Sequence, residues 1–424
     1  MSATYSNAGG ALRGLGLTAS FGLVLAIAAC ASSDAAPSGG DDGEPSPTAS
    51  STSPTTPPPV VPCQGSSCNP PDVIETKPVP LRVKFYGVSG FMIERGDDAV
   101  LTAPLFTRPS MLQATTGLPV TSDASLVAQR LPAATMPNVR AILSGHAHYD
   151  HLLDAPAAMN LAPNATLYAN RSARNLLAAW APDRGPACAG KAAQPKTIAR
   201  SRVVAVDDPA KSTVDYTNCP EQKPAGAPLQ GQWVLVPGSH VRVLAVCAEH
   251  PDQIGPVHYG AGDVEEEQCT PPRNMNEWKE GRTVAYLIDF LDPKTDAPLY
   301  RVFYQDAPTE TPVGHVPAAF LAGKKVDLAL MCVGTYDKVD DASPAKALTA
   351  LNPRYAIGAH WEDFFGSLDA PPKPITLLDV EAWATKAKAA LPAWGESRSL
   401  VQNGKPISDR ALLPQPGDTF EVTP

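Results

Sequence analysis

Three histidines and one aspartate lie within six residues of this sequence, in the stretch His146-Ala-His148-Tyr-Asp150-His151. The chain contains only 8 histidines, so this stretch concentrates one side-chain type. Neutral imidazole nitrogens and carboxylate oxygens are ligands for zinc, and also for iron and manganese. On a loop, His146 and His148 can face one point while Asp150 and His151 face a second point nearby. The motif therefore predicts two metal ions held side by side.

The residues before the motif predict the element that positions it. The run VRAIL at residues 139–143 is β-branched and apolar, which is typical of a buried strand. Three later strand-like runs end in a metal-ligand type as well, at His250, Asp306 and His360. Because functional residues concentrate on loops at strand ends, we expect these three to complete the coordination of the two metals. Roughly a dozen strands are predicted, in two groups separated by an insertion near residues 182–232.

The motif and its three partners resemble a known family. The spacing His-x-His-x-Asp-His resembles the signature of the metallo-β-lactamase superfamily, and the later order of His250, Asp306 and His360 matches its remaining ligands. The resemblance runs from about Leu81 to about residue 370. The stretch GAHWEDF at residues 358–364 resembles a branch that includes ascorbate-6-phosphate lactonase and N-acylphosphatidylethanolamine-hydrolysing phospholipase D. The resemblance implies an α/β fold, a four-layer αββα sandwich of the metallo-β-lactamase type.

The resemblance also implies how seven residues divide between the metals. The expected ligands are His146, His148 and His250 on the first metal, Asp150, His151 and His360 on the second, and Asp306 bridging both.

Two positions depart from the family pattern. Gln305 precedes Asp306 where the family has glycine, which weakens the assignment of the bridging residue. Leu152 and Leu153 separate the motif from Asp154 where the branch has one leucine. We therefore expect Asp154 to be a helix cap or a hydrogen-bond partner of a ligand histidine rather than a ligand.

These residues favour a binuclear metal-dependent hydrolase. A metal-bridging hydroxide would attack a phosphodiester, ester or lactone, with Asp150 counted as catalytic because it holds the second metal. Zinc is the favoured metal, and iron or manganese are alternatives. The alternative function is a non-hydrolytic metal- or ligand-binding lipoprotein, or an iron redox protein, on the same scaffold.

Composition limits the partners. The net charge is -9 and the isoelectric point is about 5.4, which argues against nucleic-acid binding because phosphate contacts need clustered lysine and arginine. A small-molecule or lipid-derived substrate is expected. The sequence does not predict an oligomeric state.

The N-terminal residues predict export. Residues 1–29 resemble a signal peptide, and the stretch AIAAC ending at Cys30 resembles a bacterial lipobox, so we expect lipid attachment at Cys30 and anchoring to the cell envelope. An ordinary secretory signal is the alternative. Residues 30–80 are rich in Ser, Thr, Pro and Gly and predict a disordered tether. Residues 81–424 then form the predicted hydrolase domain.

The remaining cysteines and histidines leave alternatives open. Cys63 with Cys68, and Cys188 with Cys219, could form disulfides, whereas Cys247 and Cys332 lie in apolar runs typical of buried thiols. We expect His240 and His315 to be surface residues. His258 lies on either a surface loop or the pocket rim, and Trp361 and Phe364 are either packing or pocket lining. The insertions near residues 182–232 and 252–280 could not be placed.

Overall fold

The computed structural model describes residues 79–423, apart from 192–193, 195–196, 254–257, 341–342, 392–393 and 395–398. The predicted signal peptide, the predicted lipidation site at Cys30 and nearly all of the predicted tether, with Cys63 and Cys68, lie outside the described residues. Among the helices of the described part, none combines the length and the apolar character that a membrane crossing needs.

The described strands carry the chemistry-bearing loops at their ends. They are β1 (Leu81–Gly87), β2 (Gly90–Arg95), β3 (Asp98–Thr102), β4 (Val139–Leu143), β5 (Thr166–Ala169), β6 (Val203–Ala205), β7 (Val234–Leu235), β8 (Val241–Cys247), β9 (Val284–Leu291), β10 (Pro298–Gln305), β11 (Leu328–Cys332), β12 (Tyr355–Ala359), β13 (Leu400–Gln402), β14 (Lys405–Ile407), β15 (Ala411–Leu412) and β16 (Thr419–Val422).

The described helices are short. They are α1 (Met111–Thr116), α2 (Ala124–Arg130), α3 (Tyr149–Leu152), α4 (Ala155–Leu161), α5 (Arg171–Leu177), α6 (Ala318–Leu321), α7 (Ala345–Leu351) and α8 (Val380–Ala390). Side chains that accept backbone N–H bonds fix where several of them begin, as Asn170 does for α5 and Asp379 does for α8.

The strands form two sheets. The first has the order β14-β13-β16-β1-β2-β3-β4-β5-β6, and the second has the order β15-β12-β11-β10-β9-β8-β7. One apolar cluster contains residues of both sheets, such as Phe91 and Ile93 from β2 with Tyr286 and Ile288 from β9, so the sheets pack face to face.

Helices cover the outer faces of the two sheets. A second cluster joins the outer side of the first sheet to α2, α3, α4 and α5, with Val127 and Leu176 among its fully buried side chains. A third joins the second sheet to α7 and α8, through Leu348 and Trp383. Burying an apolar side chain of this size contributes about 1.5–3 kcal/mol relative to leaving it exposed. The predicted α/β class and four-layer αββα order are confirmed.

Strand direction brings several carboxyl ends to one edge of the second sheet. Strands β10, β11 and β12 are parallel. Strand β9 is antiparallel to both β8 and β10, so β8 runs in the same direction as β10. The Val284 N–H at the start of β9 donates to the Gly145 carbonyl at 2.8 Å, which joins the loop after β4 to this edge. Residues from both sheets therefore meet here.

The predicted separation of the strands into two sequential groups is wrong in two respects. Strand β6 lies inside the insertion near residues 182–232 and extends the first sheet. The C-terminal strands β13, β14 and β16 return to that same sheet, where Val422 pairs with Leu81. These strands are only three or four residues long, so their pairing depends on distant partners rather than on local periodicity.

The cysteines pair differently from the expectation. Cys188 bonds Cys269 across 81 residues, and Cys219 bonds Cys247. The predicted Cys188–Cys219 bridge is therefore wrong, and Cys247 is not a free thiol. Cys332 is a buried free thiol, as predicted. The first bridge ties the two insertions to each other.

Candidate metal centre

The motif follows directly from β4. His146 and His148 lie on the loop after this strand, and Asp150 and His151 lie in the short helix α3. All four side chains are buried, which leaves charged or polar groups in a region where they need partners.

The three later candidates come from strand ends of the second sheet. Asp306 directly follows β10, His360 directly follows β12, and His250 lies three residues beyond β8. His360 has a left-handed backbone, with φ of 58°, and its N–H donates to the Val88 carbonyl at 2.6 Å. That unusual conformation turns the chain back across the edge of the sheet.

The first expected metal group is assembled. Ring centroids lie 4.7 Å apart for His146 and His148, 4.8 Å for His146 and His250, and 5.0 Å for His148 and His250. One nitrogen of each lies within 4.8 Å of the others. The His250 Nδ1–H donates to the Pro251 carbonyl at 2.7 Å. The electron pair on Nε2 is therefore free to bind a metal.

The second expected group is assembled beside the first. Asp150 Oδ2 lies 3.0 Å from His360 Nε2 and 3.3 Å from His151 Nε2. The ring centroids of His146 and His151 are 4.2 Å apart, so the two groups are in contact.

Asp306 contacts one histidine of each group. Its Oδ1 is 3.1 Å from His146 Nδ1, and its Oδ2 is 3.5 Å from His151 Nδ1. The Gly145 N–H and the Tyr304 hydroxyl donate to Oδ2 at 2.6 Å and 3.2 Å. Asp306 is thus fixed between the groups, and its bridging of two metals stays a prediction.

Burial keeps three imidazoles neutral near pH 7. Burial, reinforced by the neighbouring histidines, holds the pKa of His146 and of His148 well below the usual range. The same causes lower the pKa of His250 to about 3. Burial alone would raise the pKa of Asp150, but His151 and His360 outweigh it and lower that pKa well below its usual range. Neutral imidazoles and an ionised carboxylate are the forms that bind metals.

Several buried nitrogens in the cluster have no hydrogen-bond partner among the described residues. They are Nε2 of His146, Nε2 of His148, Nδ1 of His151 and Nδ1 of His360. A buried polar atom without a partner costs about 1–3 kcal/mol, and a cluster of them needs an explanation. Divalent cations match this set of donors, so the residues fit the metals that the motif implies.

Asp154 and Trp361 lie near the cluster, and their hydrogen bonds show what each side chain holds. Asp154 Oδ2 accepts the Phe106 and Thr107 N–H groups, both at 2.7 Å, and its Oδ1 accepts the Ser122 hydroxyl at 2.6 Å. It therefore holds the backbone after β3 rather than a ligand histidine. The Trp361 indole N–H donates to the Pro414 carbonyl at 2.8 Å, so this tryptophan is packing.

Sequence reasoning missed a support under His360. Glu362 is fully buried, and its Oε1 accepts the Val88 N–H at 2.5 Å and the Arg108 Nη2 group at 3.0 Å. Val88 in turn accepts the His360 N–H, so Glu362 fixes the turn that carries a candidate ligand. Its position two residues after His360 was a usable signal, because a carboxylate that close to a ligand is often its support.

Glu280 was also missed, and it lies beside His258. Together with His148 they form a further group of ligand-type side chains. Of the two alternatives for His258, surface loop or pocket rim, the structure favours the rim, because its ring centroid lies 5.4 Å from that of His250. Glu280 carried no motif, so the sequence gave no signal for it. His240 and His315 are partly buried and lie outside these groups.

No known family profile matches the chain, and no curated protein sequence matches it. Solved structures do match. The metallo hydrolase Igni18 of Ignicoccus hospitalis is 12% identical, with 81% of this chain and 98% of that chain covered and a TM-score of 0.42. The metallo-β-lactamase fold protein YhfI of Bacillus subtilis is 10% identical, with 81% and 99% covered and a TM-score of 0.38. The diiron β-hydroxylase CmlA of Streptomyces venezuelae is 10% identical, with 82% and 54% covered and a TM-score of 0.41. These scores are low, so the function rests on the site.

Proposed function

We propose that this protein is a binuclear metal-dependent hydrolase of the metallo-β-lactamase type. The observation that carries the proposal is the buried cluster itself, in which ring nitrogens of His146, His151 and His360 have no hydrogen-bond partner among the described residues. A protein interior does not keep such atoms together without a ligand that repays their desolvation. Two divalent cations, zinc first and iron or manganese as alternatives, would do so.

The two groups supply one site for each ion. His146, His148 and His250 would hold the first, and Asp150 with His151 and His360 would hold the second. When bound, a pair of such ions lowers the pKa of coordinated water and polarises the oxygen of a substrate.

The chain's own residues would orient the substrate. The Phe364 ring lies 5.0 Å from the His360 ring and 6.5 Å from the Tyr149 ring, which gives the second group an apolar neighbour. Such a surface suits the apolar part of an ester, lactone or phosphodiester. The carboxylates of Asp150 and Asp306 lie in the cluster and are proton acceptors that the chain itself supplies.

The test combines metal content with turnover. Purified full-length chain is analysed for zinc and iron separately and assayed with bis(p-nitrophenyl) phosphate, p-nitrophenyl esters and a simple lactone. We expect about two ions per chain and hydrolysis that a chelator abolishes. A protein that carries iron and hydrolyses none of these substrates would instead support the redox alternative. A folded protein that takes up no metal would refute both.

Export and lipid anchoring are a further part of the proposal. The support is the sequence AIAAC at residues 26–30, together with the Ser-, Thr-, Pro- and Gly-rich sequence that follows. In a bacterial host fed labelled palmitate, the full-length chain should incorporate label and a Cys30→Ala variant should not. Label in both proteins, or in neither, would contradict lipidation at Cys30. An anchor would place the site near lipid-derived substrates.

A further inference from the structure

A third group of ligand-type side chains lies beside the metal centre. It consists of His148, His258 and Glu280, with one nitrogen or oxygen of each within 4.8 Å of the others. His148 belongs to the first metal group as well. The other two residues belong to the insertion near residues 252–280, which is thereby placed against the motif.

Glu280 is held firmly against the motif loop. Its carbonyl accepts the N–H of Ala147, the residue between the first two histidines of the motif, at 2.9 Å, and its own N–H donates to the Gly260 carbonyl at 2.8 Å. The Thr283 hydroxyl donates to Glu280 Oε1 at 2.9 Å. The other carboxylate oxygen, Oε2, is left facing the histidines.

One edge of the His148 ring faces this insertion. Its Nε2 is buried, has no hydrogen-bond partner among the described residues, and lies 3.9 Å from Glu280 Oε2. A Cβ atom on Gly260 would lie 2.9 Å from His148 Cδ2 and 3.0 Å from Nε2. Because Cδ2 and Nε2 form one edge of an imidazole, Nδ1 lies on the opposite edge, away from the insertion.

His258 also contacts the Glu280 carboxylate. Its Nε2 contacts Glu280 Oε2, and its Nδ1 lies 3.3 Å from Asp252 Oδ1. The His258 side chain is about a quarter exposed, whereas the Glu280 side chain is about one-tenth exposed. His258 therefore covers the carboxylate and limits its contact with water.

We propose that Glu280, held in place by His258, is a positioning residue for His148. Its carboxylate, 3.9 Å from Nε2 of His148, favours a proton on that nitrogen by charge attraction, which selects the tautomer and leaves the Nδ1 electron pair for the first metal. This inference rests on the proposed function, because it assigns a role toward a metal. A neutral imidazole has one free electron pair, so a cation on Nε2 would compete with the metal on Nδ1. A third cation in this group is therefore the rival interpretation.

The test compares two glutamate variants in the full-length chain. Glu280→Gln removes the charge and keeps the size and the backbone hydrogen bonds, and Glu266→Gln changes an exposed glutamate of the same insertion. Zinc affinity is measured by competition with a chromophoric chelator, the visible spectrum of the Co²⁺ form is recorded, and thermal unfolding of the metal-free protein is followed. We expect Glu280→Gln to weaken binding of one of the two ions about 10–100-fold and to shift the cobalt spectrum. The metal-free melting temperature should match that of Glu266→Gln.

The outcomes separate the interpretations. Unchanged zinc affinity and an unchanged cobalt spectrum in Glu280→Gln would refute the positioning role. Three ions on the unaltered protein and two on the variant would also overturn it, because Glu280 would then be a ligand. Flat zinc and cobalt titrations of the unaltered protein would refute the proposed function itself. If Glu280→Gln does not fold, His258→Gln should show a smaller loss of affinity in the same direction, and no loss would count against the proposal.

Discussion

At the scale of single residues, the two aspartates of the motif region have different surroundings. Asp150 Oδ2 faces two imidazoles, whereas both oxygens of Asp154 accept bonds from the chain after β3. We expect Asp150→Asn to lower hydrolysis and metal content, on the order of 100-fold for activity, and to leave the stability of the metal-free protein nearly unchanged. Asp154→Asn should lower the free energy of unfolding by about 1–3 kcal/mol and leave the activity of the folded fraction largely intact. Activity assays, metal analysis and urea unfolding of both variants check this. Equal activity losses in the two would contradict the separation of roles.

A second residue predicts a pH dependence of stability. Burial raises the pKa of Asp207 to about 6 from an ordinary value of 3.8, although its carboxylate accepts the Arg171 N–H at 2.6 Å. Between these two values the unfolded chain has lost the proton and the folded chain has kept it, so stability falls as the pH rises. Asp207→Asn keeps an acceptor oxygen and cannot ionise. Its stability relative to the unaltered protein should therefore increase from pH 4 to pH 6.5, by up to about 3 kcal/mol. Chemical unfolding at a series of pH values measures the difference, and a flat difference would show that Asp207 ionises normally.

The sequence was sufficient to predict the candidate ligands but not the residue that supports His148. The seven candidate ligands could be found because each follows a β-rich apolar run, and the structure brings all seven together. Their metal binding remains a prediction. Glu280 could not be found, since it lies in an insertion with no periodic pattern. Its role depends on the folding of the chain, which brings the insertion back against the motif loop.

At the scale of elements, the loop after β4 must approach the second sheet very closely. A Cβ atom on Gly145 would lie 2.1 Å from Asp306 Oδ1 and 2.6 Å from the Val284 carbonyl oxygen. Gly145→Ala should therefore displace either the loop or the start of β9, lowering stability by about 1–3 kcal/mol and weakening metal binding. Gly366→Ala is the matched control, because a Cβ atom there meets nothing within 4 Å. Urea unfolding and metal titration of both variants test this, and a Gly145→Ala protein like the control would show that the approach is not tight.

The elements also show why strand ends were easier to predict than sheet order. Strand β4 is a run of five residues with four fully buried, so its character is local. Strand β16 completes the first sheet by pairing with β1 from the far end of the chain. Local patterns carry little information about such pairing, because register depends on the partner strand.

At the scale of the whole molecule, the candidate centre joins the two sheets. His146 and His148 come from the loop after β4 in the first sheet, whereas His250, Asp306 and His360 follow strands of the second. A pair of bound cations would therefore act as a cross-link between layers that also meet through apolar packing and through hydrogen bonds such as the one from Val284 to Gly145. The disulfide between Cys188 and Cys269 is a separate cross-link, between the two insertions, and metal removal leaves it intact.

Metal removal should consequently destabilise the whole fold rather than one loop. A ligand that binds only the folded state stabilises it by about 4 kcal/mol when present at roughly 1,000 times its dissociation constant. For a chain of this size we expect a chelator to lower the melting temperature by several degrees, and added zinc to restore it. A His146→Ala and His250→Ala double variant is the control, since the chelator should shift its melting temperature much less. Hydrogen exchange should quicken at the carboxyl ends of β4, β8, β10 and β12 together, because one cross-link restrains them all. Loss of bound metal with no change in melting temperature or exchange would show that the metals do not cross-link the sheets.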